Sequence, residues 1–355
     1  MDQRFQEILN NFRLDGAPVS CERYGFGHIN ETYLVVTNVS HRYILQKINN
    51  HVFQNVPALM QNISAVTDFL QIQEKDARRV LQLISTTENS SYFENHDGFW
   101  RVYDFIEDSI CLQLPEKPTD FYESAVAFGR FQQMLGTFPA DTLYETIPNF
   151  HNTTDRYRQL REAIQNDAAG RLSSVQPEIG FALAREAEAG TLVDMQKRGL
   201  LPLRVTHNDT KLNNVMLDST TRKALCVIDL DTVMPGLSAY DFGDSIRFGA
   251  ATAPEDETDL SKMEMSLELF QAYAAGFLSA CPGLTQAEKE ALPLGAKLMT
   301  LECGVRFLTD YLNGDKYFSI HRESHNLDRC RTQFKLVADM ETKWEQMKNI
   351  INSLS

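Results

Sequence analysis

The apolar pattern of this chain changes its period once, near residues 107–112, and no other feature constrains the fold as strongly. Upstream lie short runs rich in β-branched and aromatic residues. Tyr33–Thr37 and Arg42–Lys47 flank the turn-like stretch Asn38–His41, and Val80–Ile84 leads through a polar turn at Glu88–Asp97 into Phe99–Ile106, so two hairpins are predicted. Phe5, Ile8, Leu9 and Phe12 sit at helical spacing within 2–14, and Pro57 opens a second helix with Leu59, Ile63, Val66 and Leu70 on one stripe. Downstream, helical periodicity dominates at 120–136, 155–168, 177–198, 258–281, 286–312 and 327–352, with one β-like interruption at 214–231. The pattern predicts an α+β fold of two lobes, a small β-rich lobe over 1–107 and a larger, mostly helical lobe over 108–355, and 355 residues suffice for two domains of ordinary size.

Composition narrows the partners. The 48 acidic against 34 basic side chains leave a formal net charge of −14 with no Lys/Arg cluster, which argues against nucleic acid. The six cysteines lie far apart, without a CxxC pair or a zinc-like spacing. The N-terminus opens on charges without an apolar run, and the longest uncharged stretch, Leu269–Ala287, is broken by Gln271, Gly276, Pro282 and Gly283. A cytoplasmic protein with reduced thiols, no membrane association and a monomeric state is expected.

Within the helical part, His207-Asn208-Asp209-Thr210-Lys211-Leu212-Asn213-Asn214 follows the spacing His-x-Asp-x-x-x-x-Asn. That spacing suits phosphoryl transfer, which needs a carboxylate to orient an acceptor hydroxyl and take its proton, and an amide oxygen to help hold a metal. Asp209 is the expected base, Asn214 an expected ligand of a hard cation such as Mg²⁺, and Lys211 a charge able to neutralise the group in flight. Fifteen residues after Asn214, Val227-Ile228 runs into Asp229-Leu230-Asp231, and an apolar strand ending in carboxylates makes Asp229 the expected principal metal ligand. Asp241-Phe242-Gly243 spells the metal-binding triplet of protein kinases, but it follows no apolar strand and lies 27 residues past Asn214. Asp241 is therefore expected to tie down the 207–214 loop or to cap a helix starting near Phe242.

In the β-rich part, the turn Tyr24-Gly25-Phe26-Gly27-His28-Ile29-Asn30 precedes the first strand pair, and Lys47 follows 20 residues after Gly27. Read alone this is an ordinary hairpin turn. Beside the downstream motif it fits a loop covering nucleotide phosphates, with Gly25, Gly27 and Asn30 in the loop and Lys47 as a point charge reaching them. Phe105 and Ile106, at the end of the last strand, are positioned to offer backbone groups to an adenine. Glu302, Arg306 and Asp310 lie at i, i+4 spacing, which is either a solvated salt-bridge stripe or, with Tyr317 just downstream, a surface for a hydroxyl-rich acceptor. Arg306 and Tyr317 are the candidate acceptor-site residues, beside Asp209.

Taken together, the glycine turn, Lys47, the 104–107 junction, the His207–Asn214 loop and Asp229 resemble the aminoglycoside phosphotransferase and choline kinase family, whose fold is that of protein kinases. The stretch from His207 to Asn214, Ile228–Gly236, the Glu302–Tyr317 segment and the turn Gly27–Asn30 are similar to the N-acetylhexosamine 1-kinases within it. The resemblance implies ATP-dependent phosphorylation of the anomeric hydroxyl of N-acetylglucosamine or N-acetylgalactosamine, with Mg²⁺ as cofactor. It makes Asp209 the base, Asn214 and Asp229 metal ligands with Asp231 joining the shell, and Lys47 the phosphate anchor. One departure stands out: the helix at 57–73 offers Lys47 no Glu, only Asp68, with Gln61 as a neutral alternative. A kinase for choline, homoserine or an aminoglycoside is the alternative. A non-catalytic binding protein on the same fold is the third reading, disfavoured because Asp209, Asn214, Asp229 and Lys47 are all present.

Overall fold

The structure, a computed structural model, describes residues 2–25 and 29–354 and forms two compact units. The first gathers residues 1–110, 137–148 and 216–234; the second holds 111–136, 149–215 and 235–355. The change of period near 107–112 thus marks the first crossover. The segment 216–234 belongs to the first unit because its strands at Val215–Asp218 and Ala224–Val227 join Ser109–Cys111 in a three-stranded sheet.

The first unit is built on a larger antiparallel sheet. Its strands are β1 (Pro18–Arg23), β2 (Glu31–Thr37), β3 (Arg42–Ile48), β4 (Leu83–Ile84), β5 (Phe93–Asn95) and β6 (Gly98–Asp104), in the order β1-β2-β3-β6-β4 with β5 also on β6. The β2–β3 hairpin is the predicted one. The second hairpin differs: only Leu83 and Ile84 of the 80–84 run pair with β6, and the polar stretch supplies β5 as its nearer partner. Helix α1 (Gln3–Leu9) is shorter than the periodicity suggests, because the chain turns off so that Phe12 can bridge Thr86. Ile8, Leu9 and Phe12 cover one sheet face, packing on Val35, Tyr43, Leu45, Trp100 and Val102. Helix α2 (Val56–Gln73) covers the other, where Met60 Sδ lies 3.9 Å from the Arg101 guanidinium.

The second unit is helical: α3 (Pro118–Met134), α4 (Thr153–Asn166), α5 (Gln176–Leu183), α6 (Thr191–Lys197), α7 (Ser238–Gly249), α8 (Leu267–Ala280), α9 (Gln286–Leu312), α10 (His325–Thr342) and α11 (Trp344–Leu354). The periodic stretch 177–198 breaks into α5 and α6, 327–352 breaks at Lys343, and 258–281 becomes helical only from Leu267. Helix α9 carries the core, with Leu298, Leu301, Val305 and Leu308 against Tyr157, Val175, Phe334 and Val337. Helix α7 is buried nearly all round, polar residues included. Among the described residues no helix is long and apolar enough to cross a membrane.

Helices α7 and α9 approach so closely that Gly243 and Gly295 leave no room for a side chain. A Cβ on Gly243 would stand 2.3 Å from the Gly295 carbonyl oxygen, a backbone atom that cannot swing aside. Gly243→Ala is accordingly expected to destabilise the second unit by about 1–3 kcal/mol, read as a lower denaturation midpoint.

Candidate active site

In the second unit, a short strand, Arg204–Thr206, delivers the chain into the 207–214 loop. His207 is fully buried, with Phe128 and Phe131 edge-on at 5.3 and 6.1 Å, and its Nδ1 accepts from the Asp209 amide at 3.3 Å. Its place in the motif is therefore one of shaping the loop. Asn208 takes the left-handed conformation, φ 64°, which Asn tolerates. The Asp209 carboxylate receives Lys211 Nζ at 2.8 Å on Oδ1 and Asn214 Nδ2 at 3.1 Å on Oδ2, and Asn214 Nδ2 also reaches the Asp209 carbonyl at 2.7 Å. Burial pushes the Asp209 carboxyl up, but the charge and hydrogen bond of Lys211, with His207 and Asn214, outweigh it and hold the group below the usual carboxylate range. The charge of Asp209 in turn raises Lys211.

The loop's path is held from helix α7. Asp241 accepts from the backbone amides of His207 at 2.9 Å and Asn208 at 2.8 Å, and from Gln132 Nε2 at 2.7 Å. Asp244, one turn on, accepts from the Thr210 amide at 2.9 Å and is braced by Arg247. The triplet Asp241-Phe242-Gly243 is thus structural, as its position suggested. Its helix, however, begins at Ser238 rather than near Phe242, so Asp241 lies inside the first turn instead of capping it.

Beside the loop, the stripe on α9 is not solvated: Glu302 and Asp310 are 2 % and 5 % exposed. Glu302 holds His151 Nδ1 at 3.0 Å and the Thr153 hydroxyl at 2.8 Å, while His151 Nε2 reaches the Asn208 carbonyl at 3.3 Å. Asp310 accepts from the amides of Lys316, Tyr317 and Phe318 and so sets the turn that carries Tyr317, whose ring is exposed. Arg306 lies half-buried among Phe150, Tyr317 and Phe318, its guanidinium 5.4 to 5.8 Å from the three rings. It makes no hydrogen bond or ion pair among the described residues. Arg156 stands near it, and burial together with the charge of Arg306 lowers Arg156 from its usual value.

The first unit places its candidates differently from expectation. Lys47 lies on the α1 face of the sheet, level with Trp100 across the β3–β6 ladder, where its Nζ pairs with Asp97 at 2.9 Å. Side chains alternate along a strand, so Gln46 takes the α2 face and Lys47 cannot. The phosphate-anchor assignment of Lys47 is corrected accordingly, and its partner is Asp97 from the β5–β6 turn, not Gln61 or Asp68. On the α2 face, level with Gln46, the fully buried Arg101 donates to Gln46 Oε1 at 3.0 and 2.8 Å and to Asp231 Oδ1 at 2.5 Å. Asn30 Nδ2 holds the other Asp231 oxygen at 2.6 Å, and its own Oδ1 accepts from the Asn49 amide at 3.0 Å. With both oxygens engaged in a buried pair, Asp231 is a structural carboxylate rather than a metal ligand, and Asn30 is its partner rather than a nucleotide contact.

Asp229 adopts the left-handed conformation, φ 60° and ψ 61°, at the head of the single 3₁₀ turn Leu230–Thr232. Gly25 is also at positive φ, 75°, with open space about its Cα; Gly27 lies outside the described residues. Phe105 and Ile106 line a cavity of about 430 Å³ together with His41, Arg78 and Asp104. The Phe105 amide is already donated to the Arg42 carbonyl at 3.2 Å, and the Ile106 carbonyl accepts from the Ser109 hydroxyl. His151, Arg101 and Asp244 were not foreseen. Only Asp244 left a trace, one helical turn from Asp241.

Comparison with known proteins agrees with this fold. The model of the phosphotransferase enzyme family matches residues 20–277. Among solved structures, the chain is similar to an aminoglycoside phosphotransferase from Alicyclobacillus acidocaldarius (14 % identity, 98 % of this chain and 96 % of that one, TM-score 0.64). It is similar to an amicoumacin kinase in complex with AMP-PNP, Ca²⁺ and its acceptor (13 %, 97 % and 94 %, TM-score 0.59) and to a choline kinase from Streptococcus pneumoniae (13 %, 92 % and 94 %, TM-score 0.51). At these identities the likeness is one of fold, a mixed α+β architecture of kinase type.

The buried clamp on the loop has a direct consequence. Asp241→Asn keeps one acceptor oxygen and leaves one loop amide unpaired, a loss of about 1–3 kcal/mol. Exchange of the His207 or Asn208 amide is expected to speed up roughly tenfold or more, read by hydrogen exchange.

Proposed function

This chain belongs to the phosphotransferase enzyme family, and we propose that it is an ATP-dependent kinase that phosphorylates the anomeric hydroxyl of an N-acetylhexosamine to give the sugar 1-phosphate. Asp209 carries the reaction: ionised and aimed by Lys211 and Asn214, it takes the acceptor's hydroxyl proton. The new O–P bond forms as the bond between the γ-phosphorus and its bridging oxygen breaks, and ADP leaves with that electron pair. Lys211 stays close enough to Asp209 to offset negative charge on the transferred group.

A divalent cation fits the donors present. In the second unit Asn214 spends its amide nitrogen on Asp209, so its amide oxygen is the hard donor left in the loop; in the first unit Asp229 is by itself the candidate carboxylate. Among the described residues no group of three or more His, Cys, Asp or Glu could hold a metal by itself. That suits Mg²⁺, which keeps waters and completes its shell with substrate phosphates. A bound cation would neutralise phosphate charge.

The acceptor class rests on Arg306. Its donors are idle, three aromatic rings wall it in, and Phe150 and His151 connect that wall to the catalytic loop at Asn208. Arg156 adds a second positive charge, while Glu302 and Asp310 are committed to protein donors. A cationic acceptor such as choline or an aminoglycoside would meet two guanidiniums and no available carboxylate from this helix. A neutral polyol finds donors and ring faces. The choice of C1 and of the N-acetyl sugars rests on the likeness of the 207–236 stretch to N-acetylhexosamine 1-kinases.

A panel of N-acetylhexosamines, choline, homoserine and aminoglycosides with ATP tests the proposal, with product position assigned by phosphorus NMR. Turnover on the N-acetyl sugars with phosphate at C1 is expected; phosphate at C6, or preference for a cationic alcohol, overturns it. Asp209→Asn should lower kcat roughly 10²- to 10⁴-fold while ATP binding by calorimetry persists. Because Asp209 must be ionised and is held below the ordinary value near ~4, the acid limb of the rate profile lies low. Lys211→Met removes the leading cause of that lowering, so the limb is expected to move to higher pH.

A further inference from the structure

We propose that Arg101, not Lys47, is the cation of the first unit that serves the metal-binding carboxylate, acting as a positioning residue that locks the Asp229 turn through Asp231 and Asn30. This rests on the kinase reading above, and it departs from the strand-lysine arrangement that the resemblance implies.

Three observations carry it. The first is register: Gln46 stands opposite Arg101 on the β3–β6 ladder, so the face that a strand lysine would serve carries a neutral amide from β3 and a guanidinium from the neighbouring strand. The second is enclosure. Arg101 is 0 % exposed and Asp231 is 3 % exposed, and every oxygen of Asp231 has a donor in Arg101 or Asn30. A charge pair this deep is held in one geometry by its hydrogen bonds and is strongly disrupted when one partner is removed. The third is conformation. Asp231 lies in the 3₁₀ turn headed by Asp229, and Asp229 is in the left-handed region, which Asp tolerates better than most non-glycine residues but still at a cost.

The Arg101–Asp231–Asn30 chain holds it there. Anchoring residue 231 fixes where the turn begins, and with it the direction in which the Asp229 carboxylate leaves the backbone. One further atom points to an occupant. The Tyr103 hydroxyl, on the strand that carries Arg101, is buried without a hydrogen-bond partner. A polar group bound beside this face would supply that partner. Lys47 has none of these links; its ammonium is spent on Asp97 on the far face of the sheet.

The test compares wild type with Arg101→Lys, Lys47→Met and the charge-neutral double variant Arg101→Met/Asp231→Asn, which leaves no lone buried charge to unfold it. Each is titrated with Mg²⁺ at fixed ADP, reading the rise in melting temperature that the nucleotide gives, and then assayed for kcat and for KM of the acceptor. Arg101→Lys and the double variant should need about 10- to 100-fold more Mg²⁺ for half of that rise, the range seen when an outer-shell partner of a metal ligand is lost. Their kcat should fall while the acceptor KM stays unchanged. Lys47→Met should keep the wild-type Mg²⁺ requirement. A wild-type requirement in both Arg101 variants, or an equal increase in Lys47→Met, overturns the proposal. Wild-type protein that gains no stability from nucleotide with Mg²⁺ and turns over no acceptor overturns the kinase reading instead, before any variant is compared.

Discussion

The second unit depends on a carboxylate buried where carboxylates are seldom found. Asp241 has no exposure and accepts three hydrogen bonds, two of them from consecutive backbone amides of the 207–214 loop. Burial pushes its carboxyl up, so the hydrogen bonds are what make its charge tolerable there. In return the loop gains two fixed points just before Asp209. The local bonds of Asp209 to Lys211 and Asn214 only refine a direction that helix α7 has already chosen. Helix α7 is itself held by close approach at Gly243 and by Phe242, packed against Phe270, Tyr273 and Phe277. Each letter of the Asp-Phe-Gly triplet therefore has a task, and none of the three tasks is metal binding.

A second theme is the division of charge into spent and available groups. The chain is acidic, at −14, yet the carboxylates that flank Arg306 along α9 are occupied: Glu302 by His151 and Thr153, Asp310 by three amides and Asn326. Net charge governs what approaches from a distance. What binds is governed by the few groups whose donors or acceptors are not already used, and beside α9 these include the guanidinium of Arg306 and Nε of Arg156.

In the first unit the same accounting operates through the pleat. Lys47 and Gln46 are neighbours in sequence and strangers in space, one facing α1 and the other α2. A shift of one residue along a strand exchanges the faces of every side chain. The basic residue that reaches the α2 side comes from β6 instead, and the carboxylate it meets comes from 201 positions beyond Asn30 in the chain.

Much was legible without coordinates. Turn residues and β-branched runs marked the β2–β3 hairpin, and a helical apolar repeat marked α9 at its observed bounds, because both signals are local. The spacing of His207, Asp209 and Asn214, and the misplacement of Asp241 relative to any strand, were likewise properties of short windows. What stayed hidden was set by contacts between distant segments. The start of helix α7 at Ser238, ahead of Phe242, and its burial on nearly all sides depend on packing, and 216–234 joined the first unit through strand pairing that no local pattern encodes. The face taken by Lys47, the burial of Arg101 and the commitment of Asp231 follow from sheet register and from partners far away in sequence. The sequence by itself determined which chemical groups are present and how they are spaced along the chain. Only the tertiary structure decided which of them are neutralised by partners and which remain to act, since desolvation and pairing are properties of neighbours in space.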